Sequence, residues 1–324
     1  MIKKIAGALI ARAQNFFFAP SDGRGLASLR IVLGAAMVIE ALLVFPYLLQ
    51  LYGPFGYLQA DLIEAITGRA IPGLLHRAGL DPGVYSMLLT GFFCVHFSFA
   101  IAFLFGFKTR AANIGLWITQ TMIINSGYYS SYGVDRYFQN FLFLLLLVPA
   151  VRVWSVDAMR EGRDQTPRAS WTFGLRLVQV FLLMTYADAG ISKAFGSDWW
   201  TGEAIWRTLN QPEFRRFDFL WLYHVPFVPV VIGWATMFIE GFYFAGAYVK
   251  RLGTAWTLAI VGLHLGIASM MGGLTLFGGT LAAVNVAAFL IPRFAFEFKI
   301  RLVPRARRPL VSLAPLTWFE RRRT

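Results

Sequence analysis

Seven ionisable residues lie inside stretches otherwise built from apolar side chains: Glu40, His96, Arg176, Asp188, Lys193, Glu240 and His264. A charge placed in hydrocarbon costs about 2.5–3.5 kcal/mol on insertion scales, so each of them needs a partner or a task. Lys193 is the most informative. It occurs in YADAGISKAFGSDWWTG, where Tyr186, Gly190 and Lys193 recur at i, i+4 and i+7 and so share one helix face. Gly190 leaves room on that face for another helix or a ligand. An amine withheld from water can take up a proton, which is what a general base requires. The competing interpretation is a snorkelling lysine, with its stem in the apolar layer and its ammonium among the outer headgroups.

The other six divide by their neighbours. Glu240, in ATMFIEGFYF, has Gly241 beside it and Thr236 one turn before it. That pattern suits either close helix packing with a hydrogen bond or a working carboxylate. His264, in VGLHLGIASMMGG, is either a core histidine or a group that orients and shuttles protons for Lys193. Asp188 precedes Lys193 by five residues, about 140° around a helix, so the two do not pair. Its expected partner is Arg176, or a Tyr or Asn on a neighbouring helix. His96 has only Ser98 as a polar neighbour at close spacing, and it reads as structural, as do Glu40 and Arg30. The segment INSGYYSSYGVDRYFQN gathers Asn125, Tyr128, Tyr129, Tyr132, Asp135 and Arg136. It is either an aromatic belt with a charged turn or a polar rim over a cavity on the same side as Lys193.

The elements that must position these groups are membrane spans. The chain has 324 residues, of which 57% are hydrophobic, 16% aromatic and only 15% charged. A soluble domain carries about 25% charged residues, so a soluble enzyme and a disordered chain are both excluded. The apolar blocks have the length that crosses a bilayer. They predict an all-α, polytopic helical membrane bundle of about eight transmembrane helices, at 27–50, 83–107, 111–127, 137–153, 171–195, 228–249, 254–271 and 273–292. The third is the weakest, being short and carrying polar residues.

The net charge of +13 is explained by orientation. With the N-terminus inside, Lys and Arg are roughly threefold more numerous in the inner segments than in the outer loops, which places both termini in the cytoplasm. No nucleic-acid partner is needed. Residues 1–24 form an amphipathic interfacial arm, 25–292 the transmembrane domain, and 293–324 a basic cytoplasmic tail near anionic headgroups. Trp199 and Trp200, with Trp206 and Trp221, mark an interfacial belt in the outer loop 196–227. The two halves of the chain show no repeat, and few spans carry polar residues, so a transporter is disfavoured. Nucleotide-binding, serine-hydrolase and zinc-protease motifs are missing. One cysteine, Cys94, and four scattered histidines give no disulfide and no predicted metal site. The bilayer itself is the first partner.

The order of the pieces resembles a known family. An early LRIVLG span is followed by YG-x-D leading into FLFLLLLVPA. A span ending Y-x-x-AG-I-x-K then runs into DWW-x-G, and a W-x₅-E span, an H-x-G span and a last helix with paired glycines complete the set. This is similar to the HTTM family, the membrane module shared with vitamin K-dependent γ-glutamyl carboxylase, over residues 25–292. The resemblance implies a reduced quinone of the vitamin K type as cofactor and chemistry of the carboxylase or oxygenase kind, a lyase reaction. In it Lys193 and His264 are the catalytic residues, and Lys193 is the base facing outward. Tyr186, Gly190, Tyr128, Tyr132, Asn125, Trp199, Trp200 and Glu240 would line the substrate and cofactor site. Tyr128 stands where the carboxylase has a histidine, and the carboxylase's large non-membrane C-terminal part has no counterpart here. The resemblance therefore extends to stand-alone bacterial-type members, including the membrane component that matures a sporulation-delaying peptide toxin. That branch implies a different role, as a non-redox partner in the maturation or export of a secreted peptide, working with a small partner protein in the bacterial inner membrane.

Overall fold

The computed structural model describes residues 2–58, 65, 79–126, 131–149, 153–160, 166–249 and 252–294. Among these the chain is helical, with only two isolated β-bridges, Ser21 to Arg168 and Arg215 to Met271. The helices used below are α1 (Ile2–Phe18), α2 (Arg24–Val44), α3 (Pro82–Phe105), α4 (Thr109–Ser126), α5 (Gly133–Leu146), α6 (Ala169–Ala194), α7 (Ser197–Trp200), α8 (Glu203–Asn210), α9 (Phe227–Gly241), α10 (Gly253–Met270) and α11 (Thr275–Asn285).

Five helical stretches among the described residues are long and apolar enough to cross a membrane: Arg24–Tyr52, Pro82–Phe105, Ala169–Ala194, Gly253–Met270 and Thr275–Phe294. Phe227–Gly241 is apolar but shorter. The outside of the bundle carries large apolar side chains in the open, among them Leu42, Leu43, Met184, Ile191, Trp234, Phe238, Leu258 and Leu265. In water such a surface would be a liability; against lipid it is the favourable one. The chain is a membrane protein built as a helical bundle.

Local sequence explains the ends. Asp81 caps α3, its Oδ1 accepting from the backbone N–H of Gly83 at 2.8 Å and Val84 at 3.3 Å, with Pro82 in the first turn where no N–H is needed. Gly106 closes the same helix in the left-handed region, φ 67°, where a side chain would be strained. α5 begins at Gly133 and stops at Leu146, well short of the predicted residue 153. Pro149 cannot continue a helix, since it has no N–H and crowds the preceding turn. The predicted span 228–249 is also broken. α9 ends at Gly241, Phe242 is non-helical, and a short turn at Tyr243–Gly246 follows. The break turns Tyr243 into the core, where it is fully buried.

The polar side chains that made the third span look weak, Asn113, Thr119 and Gln120, are buried on the bundle side of α4. The core is continuous, running from Leu29, Leu33 and Met37 of α2 through Phe103, Leu116, Phe138, Phe141 and Trp171 to Leu182 and Leu281. α2 packs on α3 and α11, α3 on α4, α4 on α5, α6 on α9, and α10 on α11. Basic residues at the predicted inner ends tie these helices together. The Arg30 guanidinium donates to the carbonyl of Trp154. The Asp157 carboxylate accepts from the backbone N–H of Lys108 at 2.8 Å and of Thr109 at 2.9 Å. Arg293 donates to the carbonyl of Ala247 at 2.8 Å. α1 is largely exposed and docks on α6 through Phe18, stacked on Phe173, and through Phe16, over which the Arg176 guanidinium lies at 4.1 Å. The predicted tail falls outside the described residues from 295 onward.

Candidate functional site

Lys193 stands at the last turn of α6 and Glu240 at the last turn of α9. The lysine Nζ donates to Glu240 Oε2 at 2.6 Å. The carboxylate side chain is 8% exposed and the lysine 22%. The helices can bring these groups together because Gly190 faces Gly241 without side chains between them. A Cβ on Gly190 would lie 2.3 Å from the Gly241 nitrogen, so no other residue fits there unless the helices part. The lysine is also 5.2 Å from the Trp199 ring, and the Trp200 indole N–H donates to the carbonyl of Ala194 at 2.8 Å. Trp199 and Trp200 thus cover the end of α6. In surroundings this apolar, a directly bonded amine and carboxylate form a pair between which one proton can move.

A second cluster lies one to two turns deeper on α6. The Tyr186 hydroxyl and His264 Nε2 are 2.7 Å apart. Asn285 Nδ2 donates to the same hydroxyl at 2.8 Å, and the Tyr243 hydroxyl donates to Asn285 Oδ1 at 3.1 Å. All four side chains are buried. His264 Nδ1 has no partner among the described residues. His264 therefore does not touch Lys193. The two predicted catalytic residues belong to adjacent clusters, each completed by a residue on another helix: Glu240 for the lysine, Tyr186 for the histidine.

A cavity lies elsewhere in the bundle. It has a volume of about 330 Å³ and opens among α2, α3, α4, α5 and the start of α11. Glu40, His96, Gln120, Tyr132 and Asp135 supply its polar groups, and Ala41, Leu43, Val44, Phe93, Ile123, Ile124 and Leu276 much of its apolar wall. The Glu40 and Asp135 carboxyl groups both line this space. Asp135 accepts from the Tyr132 backbone N–H at 2.8 Å and from Gln120 Nε2 at 3.4 Å. Neither Lys193 nor His264 lines this space.

Several sequence expectations are thereby relocated. Tyr132 lines the cavity rather than the lysine cluster. Asn125 is on α4 beside two lining residues, Ile123 and Ile124, without lining the cavity itself. Tyr128 lies outside the described residues. Arg176 does not pair with Asp188; its Nε donates to the carbonyl of Phe16 at 3.1 Å and its NH1 to Gln179 Oε1 at 2.6 Å. Asp188 is exposed, on a stripe with Met184, Ile191 and Phe195, because its face of α6 turns away from the bundle. His96 finds its partner on α4, where Thr119 Oγ1 lies 2.8 Å from Nδ1. Glu40, assigned a structural role from sequence, is a cavity residue, and no spacing within one helix could have linked it to Gln120 and Asp135. Among the described residues no group of His, Cys, Asp and Glu is arranged to hold a metal ion.

The family model described as the HTTM domain matches residues 79–280. No curated protein and no solved structure matches the chain.

Proposed function

The chain belongs to the HTTM family, and on that premise we propose that it is a bacterial inner-membrane protein whose outward Lys193–Glu240 pair takes a proton from a lipid-soluble quinol. The reading includes eight passes with both termini cytoplasmic. Three helices too short or too polar to qualify by length and composition, α4, α5 and α9, are the remaining passes, and the roughly threefold Lys/Arg excess on the inner side gives the direction.

One observation carries the proposal: a lysine amine and a glutamate carboxylate in direct contact at 2.6 Å, in apolar surroundings, at the end of the helix that the positive-inside rule turns outward. The donor set fits a quinol hydroxyl, with an amine to receive its proton, a carboxylate to hold the lysine in place, and the Trp199 ring alongside as an aromatic face. When bound, a reduced quinone supplies the reducing equivalents for oxygenase or carboxylase chemistry. The protein's part is acid–base. With the shared proton on Glu240, the amine of Lys193 is free to accept a second one through its exposed side. Gly190 and Gly241 keep the pair in register, and Trp200, bonded to Ala194, closes the helix end against water. Tyr186, Asn285 and Tyr243 fix His264 behind this pair.

The test is oxygen-dependent consumption of a reduced naphthoquinone by the protein in nanodiscs, with empty nanodiscs subtracted. Lys193→Ala is expected to lower the rate by at least 100-fold while the melting profile shows a folded protein. A wild-type rate equal to that of empty nanodiscs, or an unchanged rate in the variant, rejects the proposal.

A second reading, a non-redox partner in maturation or export of a secreted peptide, is favoured by the exposed Asp188. A carboxylate among Met184, Ile191 and Phe195 on the outer surface of α6 suits a basic group on a neighbouring small membrane protein. Site-specific photocrosslinking from position 184 or 191 that captures a discrete small protein, together with indifference to Lys193→Ala, would favour it over quinol chemistry.

A further inference from the structure

The cavity between α2 and α5 has no part in either reading, and its polar groups are unusually one-sided. The Tyr132 backbone N–H and Gln120 Nε2 both bond to Asp135. An acceptor is left over. Gln120 Oε1 is buried in the cavity wall with no partner among the described residues, and the Gln120 side chain is 1% exposed. His96, whose Nδ1 lies 2.8 Å from the Thr119 hydroxyl, faces the same space.

The charge is one-sided as well. Glu40 and Asp135 set two carboxyl groups in the wall of one cavity. Among the described residues neither is in an ion pair. Two carboxyl groups and an open amide acceptor beside a space of about 330 Å³ ask for a donor that carries positive charge. The rest of the wall is apolar, and Leu43, on the rim, is exposed on the outside of α2, so access from the bilayer is direct.

We propose that this cavity is a ligand site for a cationic amphiphile, a protonated amine on an apolar body, with the ammonium held by Glu40, Asp135 and Gln120 Oε1 and the body against Val44, Phe93 and Ile124. The site is independent of Lys193, so its fate and that of the quinol reading are separable.

The experiment is isothermal titration of the full chain in nanodiscs of zwitterionic lipid with octylamine, and separately with octanol, each corrected with empty nanodiscs. Octylamine is expected to give saturable binding at least tenfold tighter than octanol in the wild type. Glu40→Gln keeps the shape but removes one of the two carboxyl groups. It should weaken octylamine at least tenfold and leave octanol unchanged. Ala41→Phe fills the apolar wall with the charges intact and should weaken both. Lys193→Ala should alter neither. Absence of saturable octylamine binding, equal affinity for octanol in the wild type, or full octylamine affinity in a folded Glu40→Gln or Ala41→Phe protein overturns the proposal.

Discussion

The bundle holds two clusters of charge, and they are opposites. Around Lys193 and Glu240 the charges differ in sign, the groups touch, and neither lines the cavity beside Glu40. Around Glu40 and Asp135 two carboxyl groups line one cavity of about 330 Å³, the Tyr132 backbone N–H and Gln120 Nε2 bond to Asp135, and Gln120 Oε1 has no partner among the described residues. In hydrocarbon a polar group has no water to fall back on. A closed cluster is therefore stable as it stands, whereas an open one is complete only with something bound. The lysine cluster is positioned by helix packing and the carboxyl cluster by a cap, since Asp135 is held by the first turn of the helix it begins.

Removal of one partner should separate the two most sharply. Glu240→Leu strands the Lys193 ammonium, and loss of one member of a largely buried pair costs about 3–5 kcal/mol, toward the lower end here because the lysine keeps 22% of its surface. The double variant Lys193→Met with Glu240→Leu should recover most of that loss. Glu40→Leu removes one of two neighbouring carboxyl groups and is expected to leave stability unchanged or raise it. Reversible unfolding in mixed micelles measures all three. A Glu240→Leu protein as stable as the wild type, or a Glu40→Leu protein several kcal/mol weaker, would erase the distinction.

The packing beneath the lysine gives the next effect. Gly190→Ala would put a Cβ 2.3 Å from the Gly241 nitrogen, whereas at Gly241 an added Cβ meets nothing closer than 3.8 Å. The first substitution should cost about 1–3 kcal/mol by forcing α6 from α9, and it should lower the rate of quinol consumption with it. The second should stay within about 0.5 kcal/mol of the wild type. Equal effects at the two glycines would mean that the interhelical approach does not set the Lys193–Glu240 contact.

How much of this was legible in the sequence follows from the range over which each signal acts. Hydrophobic blocks and proline act locally, so most of the helices fall close to where the blocks put them. The exceptions are α5, stopped before Pro149, and α9, broken at Phe242 to bury Tyr243. The face shared by Tyr186, Gly190 and Lys193 was also legible, because it lies within one helix. What it meets was not. Glu240 completes Lys193 and Tyr186 completes His264 across helices, and nothing in either local sequence names the partner. The surroundings of Glu40 were illegible for the same reason, since they are made by α4 and α5. Asp188 was expected to pair inside the bundle, but it lies on the opposite side of α6 from the glycine contact.

The smallest effect is expected where the closed cluster is most redundant. Tyr186→Phe deletes a hydroxyl that meets both His264 Nε2, at 2.7 Å, and Asn285 Nδ2, at 2.8 Å. Asn285 Nδ2 keeps its bond to the carbonyl of Leu281 at 2.9 Å, and Asn285 Oδ1 keeps Tyr243. One histidine nitrogen alone loses its partner, which costs about 1 kcal/mol. The informative readout is the ring itself. In the wild type, nitrogen-15 shifts of His264 should report a single tautomer, fixed by the tyrosine hydroxyl; in Tyr186→Phe they should report two in exchange. A single unchanged tautomer in the variant would mean that the ring is ordered by its contact with Phe277 rather than by the hydroxyl. The network would then be packing with polar atoms in it, and only the open cluster would remain as a polar site built by hydrogen bonding.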